Sequence, residues 1–453
     1  MSRINQIQKI YFIGIGGIGM SALARYFHSK NVVVSGYDKT QTQLTKALED
    51  SGIAIHYHED VDSIPKDVDA VVYTPAMPAN HAELMYYQTN GYTVVKRSDV
   101  LQWISESSFN ICIAGTHGKT TTTSMIAHIL RHTGYGCNAF LGGIAANYNT
   151  NFWSSENNVV VVEADEYDRS FLKLSPDIAI ITSMDADHLD IYGTAEEVEN
   201  AFIQFSQKVK PGGCLITKYG LARASEFEVP DHCTYSLNDS LADVHVSNLI
   251  VVNGSYQFDV MNQYWKVDNV VLHMGGLHNI ENAIVAISVA KYLKIDNEKI
   301  KAAVADFKGV KRRFEYLLKT EKHVLIDDYA HHPTELEALI SGVRSLFAGK
   351  KLTLVFQPHL FSRTNDLADE FAVSLSKADE VILLPIYPAR ELPMAGVTSE
   401  LILNKMTLVD KQVLAKEAML EWIQVNKPEL VVMAGAGDID TLLQPVKKIL
   451  TTD

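Results

Sequence analysis

The stretch Ile113–Leu130, IAGTHGKTTTTSMIAHIL, sets a glycine-lysine-threonine turn between an apolar run (FNICIA, 109–114) and a run with helical apolar spacing. A strand, a tight glycine turn and a helix in that order form a phosphate cradle. Gly115 and Gly118 let the backbone amides of the turn converge on phosphate oxygens, Lys119 reaches the outer phosphates, and Thr120 offers a hydroxyl to a magnesium ion. The positive end of the helix dipole faces the same point. The commonest form of such a loop, G-x-x-x-x-G-K-[ST], needs a glycine at 113, where this chain has Ile113, so the loop is a shortened variant. The bland alternative is a glycine turn that happens to precede Lys-Thr; the flanking strand and helix weigh against it.

Outward from this turn the chain keeps a βα rhythm. Upstream, KIYFIGI, VVVSGYD, AVVYTPA and TVVKRSD alternate with helical or polar stretches, the pattern of a small doubly wound parallel sheet. Downstream come NVVVVEAD, DIAIITSM and GCLITKY, which extend a second α/β domain to about residue 313. Inside it, residues 245–274 alternate apolar and polar residues around Asn253-Gly254 and read as an antiparallel hairpin on a mixed sheet. GLHNIENAIVAISVAKYL reads as a helix. The rhythm then restarts with HVLIDDYAHHPTELEAL, KLTLVFQPH, EVILLPIYPA and ELVVMAGAGD. The fold class expected is α/β in three domains, 1–107, 108–314 and 315–453, the outer two Rossmann-like and the central one a P-loop-type ATPase. A length of 453 residues suits about three cores of ordinary size.

Composition narrows the function. With a net charge of −14 the chain has no basic field to gather nucleic acid or an anionic membrane, so any phosphate must be held by local groups. Cys112, Cys137, Cys214 and Cys233 are scattered without zinc-ligand spacing and read as small apolar residues in a reducing compartment. No apolar run near the N-terminus is long enough for a signal peptide or membrane span, so a cytoplasmic protein with no membrane insertion is expected.

A second glycine turn, Gly14-x-Gly16-Gly17-x-Gly19 with Met20, satisfies the dinucleotide fingerprint, and Asp38 ends the next strand where a ribose-binding acid would stand. Alone it argues for a nicotinamide-dependent dehydrogenase. The same glycines serve any pyrophosphate at a helix N-terminus, so the fingerprint does not name the nucleotide. For a metal, Glu163 in VVEADEYD could join Thr120 and phosphate oxygens around magnesium. His188 in DADHLDIYG reads as a structural residue on chemistry alone, and Asp165, Glu166, Asp168, Asp185 and Asp187 as solvated loop acids. Lys311, Arg312 and Arg313 form a charge run that a solvated face would also explain. Asp327, Asp328, His331 and His332, with His359, Ser362 and Arg363, fall at strand ends, where α/β sheets gather ligands.

Taken together, GIGGIGMSALA, GTHGKTTT, EADEYD, DADHLDIYG, HNIENA, KRRFEY, DDYAHHPTE, FQPHLFSRT and PIYPARELP resemble, in order along nearly the whole chain, the Mur ligases of bacterial cell-wall synthesis. The resemblance is strongest to the member that adds L-alanine first. It implies ATP-dependent ligation of L-alanine to the lactyl carboxylate of UDP-N-acetylmuramate through an acyl phosphate, with Mg2+, in a monomer or weak homodimer of the bacterial cytoplasm. Gly14, Gly16, Gly17, Gly19, Met20 and Asp38 would then hold the UDP-sugar. Gly115, Thr116, Gly118, Lys119, Thr120, Thr121, Asn279, Asn282, Arg313 and Asp328 would hold ATP. Thr120, Glu163 and His188 would hold metal, which overrides the chemical reading of His188. His331, His359 and Arg363 would face the amino acid, and Lys119, His331, Arg313 and Asp328 would form the catalytic set. Position 360, often basic in relatives, is Leu360, and no lysine is assigned to the carbamoylated role used by later-acting members. A ligase that recycles a murein tripeptide is the near alternative, and the dehydrogenase is the alternative from another class.

Overall fold

Runs of Val, Ile and Leu with no polar alternation cannot leave one face in water, so they form parallel strands covered on both sides. The computed structural model describes residues 3–74, 77, 78, 80–252, 254–389 and 391–452. Asn253 of the expected turn and Arg390 of PIYPARELP lie outside the described residues. The first such sheet contains β1 (Lys9–Ile13), β2 (Val33–Tyr37), β3 (Ala54–His56), β4 (Ala70–Tyr73) and β5 (Val94–Lys96), in the order β3-β2-β1-β4-β5. Its neighbouring strands all pair parallel. The order reverses direction at β1, and the crevice at the carboxyl end of that strand is where the Gly14–Gly19 turn lies.

A second sheet holds ten strands. These are β6 (Phe109–Ala114), β7 (Asn138–Ala145), β8 (Thr150–Trp153), β9 (Val159–Glu163), β10 (Ile178–Ile181), β11 (Cys214–Lys218), β12 (Asp231–Ser236), β13 (Val244–Val252), β14 (Ser255–Met261) and β15 (Lys266–Leu272). The order is β15-β14-β13-β12-β11-β10-β6-β9-β7-β8. The short β7–β8 pair, antiparallel, went unread in the sequence. Strand β6 lies between β9 and β10, with Ile113 opposite Glu163 and Ala114 opposite Ile181. This register delivers Glu163 and the Thr182–Ser183 step to either side of the Gly115–Gly118 turn.

The third sheet contains β16 (Glu315–Lys319), β17 (Val324–Asp328), β18 (Leu352–Phe356), β19 (Glu380–Leu383), β20 (Lys411–Val413) and β21 (Leu430–Ala434), ordered β16-β17-β21-β18-β19-β20. Strand β16, for which the sequence offered no reading, pairs antiparallel with β17 at the edge. In the parallel remainder Asp328, Phe356 and Leu383 end at one level beside Ala434, so the loops that follow them open on one edge.

The chain forms two compact units. The first comprises residues 1–248, 258–270 and 281–307, and the second 249–257, 271–280 and 308–453. In the first unit one apolar cluster runs from Phe12 and Phe27 through Phe140 and Phe152 to Phe202 and Phe205. Tyr26 joins its parts, with ring centroids 5.4 Å from Phe140 and 6.2 Å from Phe152. In the second unit Leu325, Val355, Ile382, Val431 and Met433 meet Met419, Ile423 and Val446 under the third sheet. Cys112, Cys137 and Cys214 are buried and Cys233 is half-buried, all four as free thiols.

Candidate active site

In the first unit the turn at β1 is shaped by hydrogen bonds. Gly14, with φ 83°, donates its N–H to the Tyr37 carbonyl at 2.8 Å, and the Gly16 N–H donates to Asp38 Oδ2 at 2.7 Å. A Cβ at Gly16 would strike Asp38 and Thr45, and one at Gly19 would meet the Arg97 guanidinium, so the backbone here lies close to all three side chains. Asp38 braces the turn and also accepts from the Thr40 N–H at 3.1 Å. Met20 is buried in the core, so what it can offer a ligand is its backbone N–H. Gly17 is the N-cap of the helix Ile18–Ser29, and no side chain caps that end.

Arg97, which sequence reasoning passed over, stands at this helix N-terminus, with Nη2 3.7 Å from Asp165 Oδ2. A half-buried guanidinium beside open helix amides is suited to a pyrophosphate. Arg97→Ala should weaken UDP-sugar binding about 10- to 100-fold while leaving ATP binding within about twofold, measured by titration calorimetry. Equal losses for both ligands would show a folding defect instead.

The second turn lies between β6 and the helix Lys119–His132. Gly115 (φ 132°) and Gly118 (φ 82°) hold backbone that other residues adopt only under strain, and a Cβ at Gly115 would collide with Thr182. Lys119 Nζ donates to the Gly115 carbonyl at 2.7 Å and to Glu166 Oε1 at 2.8 Å. Thr120 Oγ1 donates to Glu163 Oε1 at 3.0 Å. Thr116 Oγ1 lies 2.8 Å from Ser183 Oγ, and Thr122 Oγ1 donates to Asn282 Oδ1 at 2.9 Å, tying the helix Leu277–Tyr292 to the loop. Thr121 is buried on the same first turn.

Glu166 corrects its reading as a solvated acid: it is 1% exposed and pairs with Lys119. His188, at φ 53°, sits with Nε2 3.6 Å from Asp187 Oδ2 and 3.9 Å from Glu166 Oε1. Among the described residues no three His, Cys, Asp or Glu side chains converge as a metal cage. The Thr120–Glu163 oxygen pair alone still fits magnesium, which keeps waters and takes phosphate oxygens for its other positions.

The second unit carries the remaining candidates. Asn279 Nδ2 donates to the Gly275 carbonyl at 2.6 Å, closing the turn that starts its helix. Of the two adjacent arginines, Arg312 is structural: its Nη2 donates to the Gly435 carbonyl at 2.5 Å, and its Nε lies 3.4 Å from Asp327 Oδ2. Arg313 is exposed on the same turn, its charge close enough to act on Asp328. Asp328 Oδ2 accepts from the Phe314 N–H and Oδ1 from the Ala330 N–H, both at 2.7 Å, so this carboxylate fixes the turn that presents Arg313.

Burial pushes Asp327 up to about 7 and Asp328 up to about 6, with Arg312 opposing the first shift and the two backbone N–H donors opposing the second. A carboxyl whose pKa is raised on folding supplies stability present below its unfolded value and lost as pH rises through the folded value. Wild type should therefore lose melting temperature between the ordinary carboxylate range and about pH 7, and Asp327→Asn should flatten that fall. Parallel curves for the two proteins would show that Asp327 does not titrate there.

At the edge of the third sheet His331 Nδ1 lies 2.9 Å from the Tyr329 carbonyl, which can only accept. The proton of neutral His331 is therefore on Nδ1 and the lone pair on Nε2. The His331 and His359 ring centroids are 6.1 Å apart, and His359 stacks on Tyr387 at 5.8 Å. Burial, with Arg363 and His331 nearby, holds His359 below the usual imidazole value. Among the described residues His359 Nδ1 and Arg363 Nη1, both buried, have no hydrogen-bond partner. Ser362 gives both its N–H and its hydroxyl to Glu391, which fixes the turn bearing Arg363.

Three descriptions cover this architecture in order: the Mur ligase family catalytic domain over residues 9–108, the Mur ligase middle domain over 113–290, and the Mur ligase glutamate ligase domain over 312–437. The chain is 48% identical, over 98% of its length and 97% of the relative's, to the UDP-N-acetylmuramate–L-alanine ligase of Cytophaga hutchinsonii. The chain belongs to the Mur ligase family. A second ligase of the same name, from Parabacteroides distasonis, is 47% identical over 99% of this chain and 98% of its own. Among solved Mur ligases, the UDP-N-acetylmuramate-alanine ligase of Thermotoga maritima superposes with a TM-score of 0.81 at 27% identity, covering 98% of this chain and 99% of its own. A murein peptide ligase from Psychrobacter arcticus shares the fold, with a TM-score of 0.65 at 24% identity over 98% of this chain and 99% of its own. The three-domain Mur ligase fold places a glycine turn at the head of each of its first two sheets, as the sequence indicated. Sequence reasoning missed Arg97 and misjudged Glu166; Ser98-Asp99 after Arg97 and the DE step at 165–166 gave no signal of what each side chain touches.

Proposed function

We propose that the chain joins L-alanine to the lactyl carboxylate of UDP-N-acetylmuramate, with ATP cleaved to ADP and phosphate. What carries this reading is end-to-end similarity, at 46–48% identity, to ligases named for that reaction. The chain is an ATP-dependent ligase of peptidoglycan precursor synthesis, and the dehydrogenase and tripeptide-recycling alternatives are not favoured. The domain limits that suit this activity are 1–107 for the UDP-sugar, 108–314 for ATP and 315–453 for the amino acid. Among the described residues no helix is long and apolar enough to cross a membrane.

In the first step a lactyl carboxylate oxygen forms a bond to the γ-phosphorus while the bond from that phosphorus to the β,γ-bridging oxygen breaks, leaving an acyl phosphate and ADP. Lys119 and Arg313 neutralise charge on the transferring group, and the amides of Gly115–Thr121 hold the neighbouring phosphates. Magnesium held by Thr120 and Glu163, with His188 nearby, would supply further charge neutralisation. Asn279 and Asn282 serve the adenine side, and Asp328 the ribose. Gly14, Gly16, Gly17, Gly19, Met20 and Asp38 serve the UDP-sugar.

In the second step the alanine amine attacks the acyl carbon and phosphate leaves. His331 Nε2, with its lone pair exposed by the Nδ1 hydrogen bond, accepts the proton that the amine sheds. His359 and Arg363, whose buried nitrogens lack partners, receive the alanine carboxylate. Phosphate release from ATP and magnesium should require both UDP-N-acetylmuramate and L-alanine. Release driven by a muramyl tripeptide in place of L-alanine would transfer the chain to recycling, and binding of NAD without ATP turnover would overturn the reading.

A further inference from the structure

Glu166 has no part in the scheme above, yet it is the most deeply buried acid near the ATP loop. It follows β9 by three residues, is 1% exposed, and Oε1 accepts from Lys119 Nζ at 2.8 Å. Its second oxygen, Oε2, is buried and has no hydrogen-bond partner among the described residues. Its backbone is pinned: the Glu166 carbonyl accepts from the Tyr192 hydroxyl at 2.6 Å and from the Arg169 N–H at 2.9 Å. Tyr192 is itself buried. A buried carboxylate on a fixed backbone is a poor place for a charge unless a cation answers it, and Lys119 is the cation within hydrogen-bond reach. His188 Nε2, at 3.9 Å, is the next nearest group.

We infer that Glu166 is a positioning residue for the ligation, which holds the Lys119 ammonium at the mouth of the loop before ATP arrives. This rests on the reading of Gly115–Thr121 as the ATP loop. With the Gly115 carbonyl on one side and Glu166 Oε1 on the other, Lys119 is held across the turn from two directions. Two consequences of opposite sign follow. With ATP bound, the ammonium shares its hydrogen bonds between Glu166 and the phosphates, and a buried carboxylate also repels them, so Glu166 opposes ATP affinity. The same contact keeps the ammonium at the loop with little freedom left to lose during phosphoryl transfer, so Glu166 favours turnover. A residue that merely supported the fold would move both in the same direction.

The test is a double-mutant cycle on ATP binding, read by calorimetry with ATP and magnesium alone, beside steady-state rates. Glu166→Gln keeps the shape and removes the charge. It should tighten ATP binding about fivefold and lower kcat about tenfold or more, while in the Lys119→Met background the same change should leave ATP affinity within about twofold. If the tightening persists without Lys119, the effect is loss of repulsion between Glu166 and phosphate, and the inference falls. Weaker or unchanged ATP binding in Glu166→Gln also overturns it. No ATP binding by wild type would instead sink the reading of the loop itself. Melting of the unliganded proteins provides a check independent of nucleotide. Lys119→Met strands a buried carboxylate and should lower the melting temperature by several degrees, and adding Glu166→Gln should recover most of the loss. Independent, additive shifts would refute the pairing.

Discussion

Lys119→Met should lower alanine-dependent ADP formation by about 10²- to 10³-fold, the loss expected when one preorganised donor is removed from a developing anion. The size follows from where the ammonium is held. Lys119 is on the first turn of its helix, 14% exposed in its side chain, and spans from the Gly115 carbonyl to Glu166. In so enclosed a place a charge acts on phosphate oxygens with far less screening than at a surface. Methionine keeps the apolar stem, so the helix and the buried threonines behind it should persist. Binding of UDP-N-acetylmuramate, which we propose the separate turn at Gly14–Gly19 holds, should stay within about twofold and serves as the control for folding. A variant that retains more than about a tenth of wild-type turnover would remove Lys119 from the transfer step.

Arg363→Ala should raise the KM for L-alanine by about 10- to 150-fold, the equivalent of the 1.5–3 kcal/mol typical of a hydrogen bond to a charged group. The expectation comes from the geometry: Nη1 of Arg363 and Nδ1 of His359 are buried and have no hydrogen-bond partner among the described residues. Buried polar groups are normally hydrogen-bonded, and a carboxylate is an acceptor that suits a guanidinium. The neighbouring turn supports the aim, because Glu391 binds Ser362 and leaves the arginine to something else. Leu360, at φ 71°, adds no second cation, so the loss from Arg363 should not be shared with its neighbour. Arg363→Lys should recover only part of the affinity, since an ammonium cannot match the two oxygens of a carboxylate in one plane. An unchanged KM for L-alanine with a reduced kcat would place Arg363 on the acyl phosphate instead.

Much of this site was legible in the linear chain because its chemistry is local. A glycine turn between a strand and a helix is built from residues adjacent in sequence, and both such turns stand where the sequence puts them. His331 and Asp328 fall within four residues of a strand end, which locates them without any tertiary information. Harder to read was KRRFEY, where three consecutive cations look alike. The structure divides them by backbone: Arg312 turns inward to the Gly435 carbonyl, while Arg313 stays exposed. That difference is set by a loop more than a hundred residues later, which no spacing rule reaches.

The sequence by itself determined the α/β class, the βα rhythm, both phosphate turns and the set of polar strand ends, because each depends on hydrophobic period and on the backbone freedom of glycine at fixed offsets. Only the tertiary structure decided what each acid does. Asp38 braces the first turn, Glu163 receives Thr120, Asp327 is buried against Arg312, and Glu166 is buried against Lys119. An Asp or Glu in a loop reads as solvated by default. Its burial is decided by strand order, since β9 and β10 must lie beside β6 before Glu163 and Glu166 can meet the lysine loop. Register across a sheet is a long-range property, fixed by packing of the whole core and absent from any single stretch of the chain.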